Sequence, residues 1–120
     1  MSKGGQGTRD LSADKTRALG LFPVSRETES RLDRFVEVLL RWQDKLNLIG
    51  HSTVGEIWTR HVADSLQLLP LAPQARTWID LGSGAGFPGI VVACALDFER
   101  SQLIRSVVHL APSLATKIYR

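Results

Sequence analysis

Apolar residues recur at steps of three and four through the stretch "SRETESRLDRFVEVLLRWQDKLNLI": Leu32, Phe35, Leu39, Trp42 and Leu46. That spacing puts them on one face of a helix. Ser25 or Thr28 is the expected cap, and Glu27 and Glu29 stand where the helix dipole favours acids. Glu37 and Arg41, one turn apart, are placed to pair on the polar face. Trp42 reads as a core anchor. "NLIGHST" interrupts the pattern. Thr53 and Glu56 of "TVGE" then have the form of a capping box and predict a second helix over about 54–69. Ile57, His61, Ser65 and Leu69 would share one of its faces, and Trp58, Val62 and Leu66 the adjoining one. Pro70 and Pro73 end it.

After this helical hairpin the period changes. "RTWIDL" is short and apolar, with Trp78, Ile79 and Leu81 suited to a strand buried on both faces. Glycines follow, Pro88 falls in the expected first turn of a third helix, and "GIVVACAL" continues it with little charge. "SVVHL" is the expected second strand. Ahead of the hairpin, residues 1 to about 16 are polar and glycine-rich and predict a mobile tail. "KTRALGLF" adds a short helical turn ending near Gly20, and Pro23 stops it. The chain thus divides into a tail over 1–20, a helical extension over 21–74 and the beginning of an α/β domain over 75–120.

Composition narrows the function classes a little. The 120 residues are 43% hydrophobic, the fraction of an ordinary globular chain. A net charge of +3, carried mostly by arginine, leans toward an anionic partner such as nucleic acid. One cysteine, Cys94, sits in an apolar stretch and reads as a small buried hydrophobe. It allows no disulfide within the chain and no zinc spacing. No apolar run is long enough to span a membrane, and the N-terminus has no signal core. A cytoplasmic protein without metal or membrane is the expectation.

The chemistry concentrates in "TWIDLGSGAGFPG". A strand, a glycine turn and a helix start together make an anion or nucleotide-cofactor site, since glycines admit positive φ and close backbone approach. Gly82, Gly84 and Gly86 give G-x-G-x-G. Gly84, Gly86 and Gly89 give the dinucleotide spacing G-x-G-x-x-G. Asp80, at the strand's end just before the first glycine, favours the former. Its carboxylate suits an ammonium or hydroxyl group and would repel a pyrophosphate. No Gly-Lys-Ser or Gly-Lys-Thr follows, which excludes a P-loop. On the second helix, Arg60, His61, Asp64 and Ser65 cluster in "TRHVADS". Arg60 and Asp64 can pair, though in the weaker order. On one helix, His61, Asp64 and Ser65 cannot line up as base, orienter and nucleophile. A hydrogen-bond network closing the helical part onto the glycine loop is the expected role.

"RWQDKLNLIG", "RHVADSL" and "WIDLGSGAGFPGI", in that order, resemble the RsmG (GidB) family of bacterial small-subunit ribosomal RNA methyltransferases. The resemblance covers about residues 30–96. It implies a Rossmann-like methyltransferase domain with an N-terminal helical extension, S-adenosylmethionine as cofactor, and methylation of guanine N7 in that RNA. Asp80, Gly82, Ser83, Gly84, Gly86 and Phe87 match the family's cofactor loop. Arg60, His61, Asp64 and Ser65 match its helical motif near the site, and no catalytic residue is implied. The match fails near the end. Family chains are longer, and "VVHLAPS" offers Ala111, Pro112 and Ser113 where an acid for the ribose hydroxyls is expected. The expectation is a truncated chain with an incomplete sheet, its reading frame shifted after Leu96, and inactive in that form. Two other readings stand beside it: the dinucleotide-binding domain of an oxidoreductase, and a non-catalytic RNA-binding remnant.

Overall fold

Ser25 turns the chain into its longest helix. Its hydroxyl oxygen accepts the Thr28 amide at 3.1 Å, satisfying one of the donors that a helix start leaves open. A computed structural model describes residues 10–74, 77–79, 85–96 and 102–104. Helix α1 spans Ser12–Leu21 and α2 spans Arg26–Leu46, closed by Asn47 in the left-handed conformation. A 3₁₀ stretch, His51–Glu56, leads into a π-helical one, Ile57–Val62, which tightens into α3, Ala63–Leu66. Strand β1 is Thr77–Ile79, α4 is Gly89–Ala95, and β2 is Gln102–Ile104. β1 and β2 run parallel, Thr77 opposite Gln102 and Ile79 opposite Ile104.

The core lies where α2, the 57–66 segment and α4 meet. Leu32, Phe35 and Leu39 of the predicted stripe are fully buried, with Ile57, Val62, Ile90 and Val91 against them. Each such side chain contributes about 1.5–3 kcal/mol by leaving water. The stripe runs out toward the helix end: Trp42 is only partly buried and Leu46 is exposed. Gln43 is buried instead, because both ends of its amide bond the Ile49 backbone. The Arg31 guanidinium donates to the Cys94 carbonyl at 2.9 Å and so ties α2 to the end of α4, where open carbonyls favour a cation. The predicted Glu37–Arg41 pair forms at 2.9 Å.

Two expectations change. The mobile tail expected over 1 to about 16 is already helical from Ser12, whereas the helical turn expected to end near Gly20 is present as the end of α1; Ala18 and Asp14 are buried. Polar bonds hold α1 alongside its apolar contacts: Ala18 is fully buried, and Leu11, Leu19 and Phe22 pack against the core. Lys15 bridges Glu29 at 2.8 Å and Asp33 at 2.7 Å on α2, and Asp14 bonds the backbone of the 57–62 segment. The second helix is not one uniform α-helix over 54–69, and Thr53 does not cap it. The Thr53 hydroxyl donates to Gly50 O at 2.8 Å, the Trp58 and Thr59 amides find their acceptor on Asp14, and the pitch changes from 3₁₀ to π to α along the segment. Strand β2 at Gln102–Ile104 was not expected, and the expected strand "SVVHL" lies outside the described residues. Among the described residues no helix is long and apolar enough to cross a membrane.

Candidate functional site

The π-helical segment and α3 carry the cluster predicted from sequence, but its side chains part company. Arg60 pairs with Glu56 at 3.0 Å rather than with Asp64. This is the acid-first order that the helix dipole favours. Exposed Asp64 accepts from the Gln67 amide at 2.7 Å. Ser65 is buried and spends its proton on the His61 carbonyl, 2.7 Å away, one turn back. With Ser65 bonded to backbone, Asp64 to Gln67 and His61 to Thr53, these three side chains do not line up as a hydrolytic triad.

His61 is held at two points. Its Nε2 lies 3.0 Å from the Thr53 hydroxyl oxygen, whose own proton is directed at Gly50 O. Thr53 is therefore the acceptor, and Nε2 carries the hydrogen. Burial pulls the imidazole pKa below its ordinary value. Asp64 opposes that pull, and Arg60 adds to it. The ring is neutral near pH 7, with its lone pair on Nδ1.

The second point is Phe87. Its ring stacks on His61 with centroids 4.9 Å apart and planes 27° from parallel. It also meets Phe35 edge-on at 5.2 Å and 69°. Gly86 precedes it with φ +109°, a conformation that side chains disfavour. An added Cβ there would also stand 3.1 Å from Ile90 Cδ1 and 3.2 Å from Phe35 Cε1. The glycine is thus needed for both conformation and space. Among the described residues the helical part meets the end of the glycine loop through ring stacking, where a hydrogen-bond network was expected.

Between the two lies an open cleft of about 420 Å³. His61, Asp64, Ser65 and Gln67 line its polar side; Leu68, Leu71, Phe87 and Pro88 line the apolar one. Of the predicted loop residues, Gly86 and Phe87 are described, whereas Asp80, Gly82, Ser83 and Gly84 lie outside the described residues. Sequence reasoning missed Thr53 as the partner of His61, having read it as a cap. It also missed Gln67, Leu68 and Leu71 as cleft residues. Gln67 stands three residues after Asp64, a spacing that could have suggested the contact. Cys94 is buried as expected, and burial pushes its thiol up to about 12. Among the described residues no group of three His, Cys, Asp or Glu side chains could hold a metal ion.

Comparison with known proteins places this arrangement. A family model described as rRNA small subunit methyltransferase G matches residues 28–109, which takes in most of α2, the Arg60–Ser65 cluster, the glycine loop and α4. Relatives named ribosomal RNA small subunit methyltransferase G are similar at high identity. One from a Bradyrhizobium strain is 57% identical over 107 residues, covering 89% of this chain and 46% of the relative. One from Rhodopseudomonas palustris is 66% identical over 87 residues, covering 72% and 38%. One from Nitrobacter hamburgensis is 62% identical over 93 residues, covering 77% and 36%. The chain spans less than half the length of these relatives.

Proposed function

The chain belongs to the rRNA small subunit methyltransferase G family, and from that premise we propose that it serves methyl transfer from S-adenosylmethionine to N7 of a guanine in small-subunit ribosomal RNA. We assign Asp80, Gly82, Ser83, Gly84, Gly86 and Phe87 to the cofactor, within a Rossmann-like domain that begins near residue 75. The helices before it form the extension that closes the site.

The observation that carries this reading is the stack of His61 on Phe87, which joins the helical motif to the cofactor loop across one cleft. The described residues suit a sulfonium cofactor. The stacked Phe87 lines the cleft with aromatic surface, and Asp64 brings a carboxylate to the same cleft. Gly86 lets the backbone turn without a side chain. When bound, S-adenosylmethionine would supply a methyl group already activated by its sulfonium, with the neutral thioether as leaving group, and guanine N7 would accept it on a lone pair without losing a proton. The residues then have positioning and water exclusion to perform rather than proton removal. This agrees with a site in which Ser65 is committed to backbone and His61 is braced.

Calorimetric titration of the chain with S-adenosylmethionine, and separately with NAD, tests the assignment. Binding of the former in the micromolar range, without binding of NAD, is expected. NAD in its place would point to a dinucleotide-binding domain, and heat from neither ligand would overturn the assignment. Transfer of a labelled methyl group to unmodified small-subunit RNA tests the substrate on the same sample.

A further inference from the structure

Asp14 stands on α1, ahead of the span that the family model matches, in a stretch that sequence patterning treats as tail. Its side chain is nevertheless buried, at 7% exposure. One carboxylate oxygen accepts the Trp58 amide at 2.7 Å. The other accepts the Thr59 amide at 3.2 Å and the Thr59 hydroxyl at 2.7 Å. These amides open the π-helical segment, where the helix itself offers no acceptor. Glu56, at the local cap position, makes no side-chain cap bond. The cap is supplied instead from 44 residues away.

The segment so fixed carries His61 two residues after Thr59. π-helical turns depart from the usual pitch and recur at functional sites. Here the departure brings His61 between Thr53 and Phe87. The supports form a closed circuit. Lys15, beside Asp14, clamps α1 to Glu29 and Asp33 of α2. Asp14 holds the segment, His61 stacks on Phe87, and Phe87 rests edge-on against Phe35, back on α2.

We propose that Asp14 is a positioning residue of the cleft: its cap on Trp58 and Thr59 sets the helical pitch that seats His61 on Phe87. It touches no ligand and acts through the segment. The part of the proposal that concerns cofactor affinity rests on the reading of the cleft as the methyl-donor site. The part that concerns geometry does not.

The test is NMR of the labelled chain, reading the His61 ring protons, which the neighbouring Phe87 ring shifts upfield. Asp14→Asn and the milder Thr59→Val are compared with Ser25→Ala, which removes the α2 cap and leaves Asp14 alone. The Asp14 and Thr59 variants should move the His61 resonances toward their unstacked values while Ser25→Ala lowers the melting temperature without moving them. Where wild type binds S-adenosylmethionine, Asp14→Asn should weaken it by roughly five- to tenfold, the scale of a lost cap, and Ser25→Ala should not. If the Asp14 and Thr59 variants lose stability while the His61 resonances stay at wild-type positions, Asp14 is only a structural cap and the proposal fails. Wild type that binds no S-adenosylmethionine counts against the methyl-donor reading alone, since the ring-proton comparison still decides the role of Asp14.

Discussion

The imidazole of His61 lies nearly flat on the ring of Phe87, 4.9 Å between centroids. One ring comes from the helical motif and the other from the end of the glycine loop, 26 residues later in number. This contact joins the predicted helical motif to the end of the glycine loop.

Removing the aromatic face should break that coupling while keeping the apolar volume. Phe87→Leu is expected to cost about 0.5–1.5 kcal/mol beyond its change in buried area. A double-mutant cycle with His61→Leu, followed by urea unfolding, isolates the pair. A coupling of that size is expected; one below about 0.3 kcal/mol would mean that the rings are merely adjacent.

The same contact sets a pH dependence. Burial holds the His61 pKa below the ordinary imidazole value of 6.5, more strongly than Asp64 raises it. The unfolded chain therefore binds this proton more readily than the folded one, and stability rises with pH between the two values. The contribution is complete above about pH 6.5 and falls away as pH drops toward the lower folded value. Urea midpoints measured from about pH 5 to 8 should decline on the acid side. His61→Gln should flatten that decline, because glutamine can still donate to Thr53 but does not titrate. An unchanged slope in the variant would assign the dependence to other groups.

Gln43 supplies the prediction with the clearest local cause. Its amide nitrogen donates to Ile49 O at 2.7 Å and its oxygen accepts Ile49 N–H at 3.0 Å, all in a buried setting. The side chain thus replaces a peptide group where α2 gives way to the next segment. Gln43→Leu keeps the volume and leaves both backbone groups without that partner. Each unpaired buried group costs about 1–3 kcal/mol, so the loss should exceed about 2 kcal/mol by urea unfolding. Hydrogen exchange at the Ile49 amide should quicken as well. A loss under about 0.5 kcal/mol would show that water reaches the pair.

What the sequence made legible follows from which forces leave a local pattern. The α2 stripe and the Ser25 cap could be read because burial and capping act at fixed spacing within one element. α1 was hard to read as packed, since Asp14 and Lys15 bond residues far along the chain and Ala18 is its one fully buried apolar residue. The pitch change at 57–62 was hidden for the same reason: its acceptor lies on another helix. In the candidate site, Gly86 and Phe87 were legible as loop residues, because positive φ and close approach demand glycine. That His61 would meet Phe87 by stacking, and that Ser65 would turn to backbone, depended on that unseen pitch.

Two glycines put the local argument to a sharper test. Gly86 has φ +109°, and a Cβ there would lie 3.1 Å from Ile90 Cδ1 and 3.2 Å from Phe35 Cε1. Gly20 sits within α1, where a Cβ would meet nothing within 4 Å. The same substitution should therefore have opposite signs. Gly20→Ala removes backbone freedom from the unfolded chain and should stabilise by about 0.5–1 kcal/mol. Gly86→Ala should destabilise by about 1–3 kcal/mol through backbone strain, with crowding against the core adding to it. Because Phe87 follows directly, the strain should also shift its ring and move the His61 resonances toward unstacked values. Paired urea unfolding of the two variants decides it: a neutral Gly86→Ala would mean that the loop relaxes freely, and the tight turn could not then be what seats Phe87 against His61.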